Sequence, residues 1–379
     1  MSDQIVMLKG PDRVRLRPAV MFGSDDITGV MSAVEMLLDF FIEEAKNGFC
    51  SQITITQCWD GSICLEDNGR GIYFGLDDTI WQELFCRFYQ FSSPDTLSAQ
   101  RSIFEEPRTD HTEVINDFQL YAVQCASEYM DVEVVRDGKQ YNLHFEKGEN
   151  IGGLSTSPCT IGHGTCIRFK PDATVFSNIA LPSQWIADKA REIAFLVPGI
   201  KTVFDKEGMQ GSEVTAFVYP NGAVDYLKEQ LRGCDASEIY TVELEAEGQE
   251  RYNKPRYKAS VKIGVCFTKE PGKIQCYHNH CELSYGGTHL QAVVGKITKY
   301  LQWTLEKNIS EEEVLSHLRL LIITNSELTS WGNGARNSID SLFIKDLSSD
   351  AIGDDFRYYL KQNQACIASL FDNVARKED

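Results

Sequence analysis

The chain has 379 residues, 42% hydrophobic and 24% charged, a balance that excludes an intrinsically disordered protein and allows two domains with real cores. A net charge of −18, with Lys and Arg scattered rather than gathered in a stripe, excludes tight unaided binding to a nucleic-acid backbone.

In chain order, the group Arg13, Arg15 and Arg17 reads as an ordered N-terminal segment. Val30, Ala33, Val34, Leu37, Leu38, Phe41, Ile42 and Ala45 then recur in helical rhythm, predicting a helix over Thr28–Cys50 that stops at Gly48. Ile53 and Ile55 alternate with polar residues, Asp60-Gly61 supplies a turn, and Ile63 and Leu65 resume the alternation before a glycine loop, Glu66 to Gly71. The polar stretch Ser92–Thr112 is expected to be a loop or lid, and Val114–Met130 a helix. Short strands follow at Val132–Val135, Tyr141–Phe145 and Thr165–Phe169, the last two separated by a loose segment, Gly148–Gly164. A helix over Leu181–Ile193 precedes strands at Thr202–Phe204, Glu213–Val218, Tyr240–Ala246 and Arg256–Cys266, then helices at Thr288–Leu305 and Asp355–Ala375.

This order predicts an α+β protein with a largely antiparallel first sheet and a boundary near Asn221, giving domains at 1–220 and 221–379. Twelve cysteines without a Cys-x-x-Cys pair or a signal peptide suit reduced thiols, and no apolar run is long enough to span a membrane; a cytoplasmic protein is expected.

The motifs Lys9-Gly10, Val14-Arg15, Arg17-Pro18, Thr28-Gly29, Asp39, Ile42, Glu44-Ala45, Gly48 and Cys50 are followed by Asp67-x-Gly69-Arg70-Gly71-Ile72, Gly164-Thr165-x-x-Arg168-Phe169 and Gly286-Gly287-Thr288-His289-Leu290. In that order they resemble the ATPase and transducer region of the B subunits of DNA gyrase and topoisomerase IV, members of the GHKL superfamily. The resemblance implies a GHKL (Bergerat) α/β sandwich followed by a transducer domain of ribosomal protein S5 domain 2-like fold. It implies that Asp67 accepts a hydrogen bond from an adenine amino group with help from Thr165, and that Gly69, Arg70 and Gly71 shape the same end of the site. A carboxylate suits that task because, ionised, it only accepts. ATP or ADP is the implied ligand.

The family's other site residues are replaced. On the first long helix it uses a Glu to activate water and, four residues later on the same face, an Asn to hold Mg²⁺; those positions are Met36 and Phe40, which can do neither. Glu35 lies one residue early, about 100° around the axis, and is expected to face solvent with Asp39 and Glu43. The family's glycine-rich phosphate lid falls on Val114, Asn116, Asp117 and Gln119. The transducer lysine that reaches the γ-phosphate becomes Arg336, and the proline after the glycine loop becomes Tyr73. Lys9-Gly10 lies close to the first residue, which leaves little length for the family's exchanged dimerisation arm. Neither a Glu-Gly-Asp-Ser nor an Asp-x-Asp-x-Gly metal motif occurs, so the chain alone is not expected to cut DNA.

Cys276-Tyr277-His278-Asn279-His280-Cys281 contains zinc-ligand types, but its spacing matches no usual finger and no metal site is assigned. The leading reading is a pseudo-ATPase module that binds a nucleotide, another ligand or a protein partner, such as a topoisomerase subunit or a second copy, without efficient hydrolysis. The alternatives are an active module of a divergent type II topoisomerase with Glu35 as base, and a small-molecule binder or enzyme using an apolar pocket lined by Met36, Phe40, Tyr73 and Val114.

Overall fold

The computed structural model describes residues 10–74, 80–86, 120–160, 162–208, 211–332 and 337–374. The chain divides into two compact units, Met1–Pro220 and Asn221–Asp379.

The first unit runs α1 (Asp12–Arg15), α2 (Pro18–Phe22), α3 (Ile27–Lys46), β1 (Gln52–Gln57), β2 (Ile63–Asp67), α4 (Ile80–Cys86), α5 (Leu120–Cys125), β3 (Ser127–Arg136), β4 (Lys139–Glu146), β5 (Glu149–Asn150), β6 (Ser155–Pro158), β7 (Gly164–Pro171), α6 (Ser183–Leu196), β8 (Lys201–Gly208) and β9 (Gly211–Val218). The strands form one sheet in the order β5-β4-β3-β7-β2-β1-β8-β9, with β6 paired to β4. All its pairs are antiparallel except β1 with β8, which the crossover through the rest of the unit makes parallel.

Helix α3 supplies much of this unit's core. Asp26 caps it by accepting from the Thr28 N–H at 2.8 Å, and the chain leaves it through Gly48 at φ +77°. Its predicted apolar stripe is buried, and Phe40 and Glu44 are buried with it. Alternation along β2 and β7 puts Ile63, Leu65 and Asp67, and Thr165, Ile167 and Phe169, on the buried face; Cys64, Glu66, Cys166 and Arg168 take the opposite, wetter face.

The second unit comprises α7 (Ala223–Gln230), β10 (Tyr240–Gly248), β11 (Tyr257–Phe267), β12 (Lys273–His278), β13 (Cys281–Glu282), α8 (Thr288–Leu305), α9 (Glu311–His317), β14 (Leu318–Ser326), α10 (Leu342–Ala351), α11 (Asp354–Gln362) and α12 (Gln364–Leu370). Its sheet has the order β10-β11-β14-β12-β13. Val261, Ile263 and Val265 of β11, Leu320 and Ile322 of β14 and Val293, Ile297 and Leu301 of α8 meet in one core with Ile344 and Phe356.

Three expectations change. Of the helix expected over Val114–Met130, residues 114–119 lie outside the described residues; α5 ends at Cys125, and Ser127 opens β3 instead. Gly148–Gly164, expected to be loose, contains β5 and β6, both paired to β4. The single C-terminal helix is broken at Asn363, whose backbone caps α11 while its side chain donates back to the Tyr359 carbonyl.

Candidate functional site

Helix α3 and the loop after β2 meet in the first unit. Glu44, fully buried on α3, accepts from the Arg70 backbone N–H at 2.9 Å and from the Arg70 guanidinium at 2.6 Å. The guanidinium carbon also lies 3.5 Å from the centroid of the Phe49 ring, a cation–π stack. Asn68 pins the same loop by accepting from the Ser51 and Gln52 N–H groups at 2.9 and 3.0 Å. Arg136, at the end of β3, donates to the Gly71 carbonyl at 2.9 Å and lies over the Tyr73 ring at 5.0 Å. His163 Nδ1 donates to the Gly69 carbonyl at 2.5 Å.

Two glycines are required by these approaches. A Cβ on Gly69 would stand 2.7 Å from Asp67 Oδ1 and 2.9 Å from Glu44 Oε2. Gly164 takes φ +137°, and a Cβ there would collide with the Asp67 carbonyl oxygen at 2.1 Å.

That close approach places the start of β7 beside Asp67. Glu66 pairs with Cys166, so one step along the antiparallel ladder Asp67 stands opposite Thr165. Asp67 Oδ1 accepts from the Gly69 N–H, but Asp67 Oδ2 and Thr165 Oγ1 are buried without a hydrogen-bond partner among the described residues. Such groups are costly unless something pairs with them, so two neighbouring orphans are atoms that a polar ligand would satisfy. Burial pushes the Asp67 carboxyl up to about 7, with the charges of Glu44 and Glu66 adding to the rise. The residues present therefore fit a ligand that offers a hydrogen-bond donor, as an amino group does.

The end that the resemblance assigns to water and metal has different chemistry. Phe40, one turn before Glu44, is fully buried and meets the Phe41 ring edge-on at 5.1 Å. Met36, another turn back, is half-buried. Neither offers an oxygen or nitrogen, so this end does not fit Mg²⁺. Glu35 is turned to α6, where its Oε1 meets Lys189 Nζ at 2.9 Å, rather than simply facing solvent. Burial alone would lower the Lys189 pKa, but Glu35 and Glu192 outweigh it and raise it, holding the ammonium charged against both carboxylates.

Arg336 and the lid positions Val114, Asn116, Asp117 and Gln119 lie outside the described residues. In the second unit, His278 has both ring nitrogens at 2.8 Å from threonine hydroxyls, those of Thr324 and Thr329, and Asn279 and His280 form the positive-φ turn of the β12–β13 hairpin. His289 is fully buried with neither nitrogen paired among the described residues, and burial lowers its pKa to about 4, so it is a neutral core imidazole. Sequence reasoning noted Glu44 only as a family match and missed Arg136, Asn68, His163 and Lys189. The signal for Glu44 was present: it is a carboxylate interrupting an apolar helix face.

The family model for DNA gyrase B matches residues 222–379. The DNA gyrase B subunit of Thermotoga maritima is 29% identical over 98% of the chain, and the DNA topoisomerase 4 B subunit of Streptococcus pneumoniae is 26% identical over all of it. The chain spans 59% and 58% of those two proteins. Among solved structures, the 43K ATPase domain of Thermus thermophilus gyrase B in complex with an aminocoumarin has a TM-score of 0.69 at 22% identity, covering 96% of this chain and 93% of its own. The B-subunit of the DNA gyrase from Myxococcus xanthus has a TM-score of 0.72 at 18% identity, covering 94% and 99%. At these identities the structural likeness is one of fold, an α+β GHKL unit followed by a transducer. Among the described residues no helix is long and apolar enough to cross a membrane.

Proposed function

We propose, from the premise that this chain is a relative of the N-terminal ATPase and transducer region of the B subunits of DNA gyrase and topoisomerase IV, that it is a pseudo-ATPase module. It binds an adenine nucleotide through Asp67 and Thr165 and does not hydrolyse it efficiently. The observation that carries this reading is that two buried oxygens without a partner among the described residues, Asp67 Oδ2 and Thr165 Oγ1, occur together with a buried Phe40 where the family holds its metal. The first supports recognition of an adenine edge; the second removes the ligand for Mg²⁺. Gly69, Arg70 and Gly71 act by shaping the loop, Arg70 through its pair with Glu44. Arg336 is assigned to the phosphate end on the family resemblance.

Losing the general base and the metal ligand together removes most of what would activate water, since general acid–base catalysis alone is worth roughly 10² to 10⁴ in rate. With turnover absent, the useful output is binding, and the module is assigned to an assembly with a topoisomerase subunit or a second copy of itself in the cytoplasm.

Calorimetric titration with ATP, ADP and a non-hydrolysable ATP, with and without Mg²⁺, tests this. Binding that Mg²⁺ does not strengthen, together with no ATP turnover, is the expected result. Robust Mg²⁺-dependent turnover overturns the reading.

A further inference from the structure

On the wetter face of the first sheet, whose buried face carries Asp67 and Thr165, two cysteines touch. Cys64 Sγ and Cys166 Sγ are 3.3 Å apart, and both are partly exposed. Cys64 stands opposite Arg168 and Cys166 opposite Glu66, so the pair is a diagonal one across neighbouring antiparallel strands, both sulfurs on one face. We propose that Cys64 and Cys166 form an oxidisable dithiol, a modification site that low-molecular-weight disulfides convert to a cross-strand disulfide.

The chemistry balances by two exchanges. The Cys166 thiol loses its proton, and the thiolate attacks one sulfur of the external disulfide, expelling one thiolate and leaving a mixed disulfide on Cys166. Cys64 then loses its proton and attacks Cys166 Sγ, expelling the second thiolate; the chain loses two electrons and two protons, and the external disulfide becomes two thiols. Cys166 is the group set to attack first. The hydrogen bond between the two sulfurs, which either thiol can donate, lowers the Cys166 pKa and raises that of Cys64; at Cys166 burial and the charges of Glu66 and Glu133 oppose it and Arg168 assists it.

The geometry also makes the product reversible. Diagonal neighbours in an antiparallel ladder have Cα atoms about 7–8 Å apart, beyond the roughly 4.4–6.8 Å usual for disulfides, so closing the bond draws β2 along β7. Disulfides closed against such resistance are the readily reduced ones. The strands that shear are those whose buried faces carry Asp67 and Thr165.

The test uses the full chain, reduced and then exposed to bis(2-hydroxyethyl) disulfide, followed by alkylation and peptide mapping. The expected result is a peptide linking Cys64 to Cys166 and the loss of both thiols to alkylation; in C64S or C166S the linked peptide disappears and the remaining cysteine carries a single adduct. Exposed Cys86 reports that the reagent worked. Separate adducts on Cys64 and Cys166 in the unsubstituted chain, or two thiols left untouched while Cys86 reacts, overturn the proposal. Phenylarsine oxide, which bridges adjacent thiols, supplies a second readout on the same chain: protection of both cysteines, lost in either serine variant, is expected, and no protection overturns it. Neither readout requires a bound nucleotide, so both stand apart from the nucleotide-binding reading.

Discussion

Glu44 Oε1 accepts from Arg70 Nη2 at 2.6 Å while Glu44 Oε2 accepts from the Arg70 backbone N–H at 2.9 Å, so one buried carboxylate fixes both the side chain and the main chain of the glycine loop. Glu44 has no exposed side-chain surface and Arg70 a quarter of its own. Removing one partner of such a pair is costly because the other is left buried and uncompensated. Arg70→Ala is expected to cost about 3 kcal/mol in urea denaturation. Arg70→Ala combined with Glu44→Leu should cost less than the sum of the two single changes.

Asp67 gives a pH signature. Its folded pKa, about 7, lies above the value of about 3.9 expected for the unfolded chain. Between those values the folded state holds a proton that the unfolded state has released, so stability is fully present below about pH 4 and falls as pH rises towards 7. Asp67→Asn removes that slope, and denaturation at a series of pH values reads it. At pH 8 the Asn variant is expected to be the more stable by on the order of 2 kcal/mol, since it buries no charge.

Ligand binding should run the other way with pH. An adenine amino group donates more strongly to the ionised carboxylate than to the carbonyl oxygen of the protonated acid, so the complex favours the ionised form. Affinity for ADP is then expected to rise with pH up to about 7, by at most tenfold per unit, and to level off above it. Titration from roughly pH 5.5 to 8.5 measures this, and proton release on binding near pH 6 accompanies it. Thr165→Val should weaken binding without shifting the midpoint.

Helix α3 was legible because its period-3.6 stripe is long and its ends carry Asp26 and Gly48, signals local to the sequence. The start of β3 was not: Ser127–Met130 follows directly on the apolar stretch of α5, and its helical and strand readings differ only in pairing with β4 and β7, a contact supplied by distant residues. The site divides likewise. Asp67 and Thr165 stood out through their motifs, whereas the roles of Arg136 and His163 depend on carbonyls of a loop some 65 to 94 positions away. Glu35 was placed by helix phase alone, which gives direction around the axis but not that α6 would bring Lys189 to it.

That ion pair separates the two ATPase readings. Glu35→Gln keeps the shape, removes a charge that is nearly half exposed, and is expected to cost under about 1 kcal/mol. Any residual ATP turnover should be unchanged by it, because the carboxylate is engaged by Lys189 on α6. A steady-state ATPase assay of Glu35→Gln beside the unsubstituted chain checks this; turnover abolished by the change would restore the active-module reading.

Phe40 makes the opposing demand on the same helix. Its ring is fully buried and edge-on to Phe41, so restoring the family's residue by Phe40→Asn deletes a core ring and inserts an amide that needs partners. Large-to-small aromatic changes in cores cost about 3–5 kcal/mol, and an unpaired buried amide adds on the order of 1–3 kcal/mol. Phe40→Asn is therefore expected to lose about 4 kcal/mol or more in urea denaturation, with Phe40→Leu losing clearly less. Adding Mg²⁺ should recover none of the loss, since a single amide beside Met36 does not make a hard-cation site. A nearly neutral Phe40→Asn that Mg²⁺ stabilises further would instead mean that this turn of α3 still opens onto a metal-binding pocket, and the pseudo-ATPase reading would fall with that result.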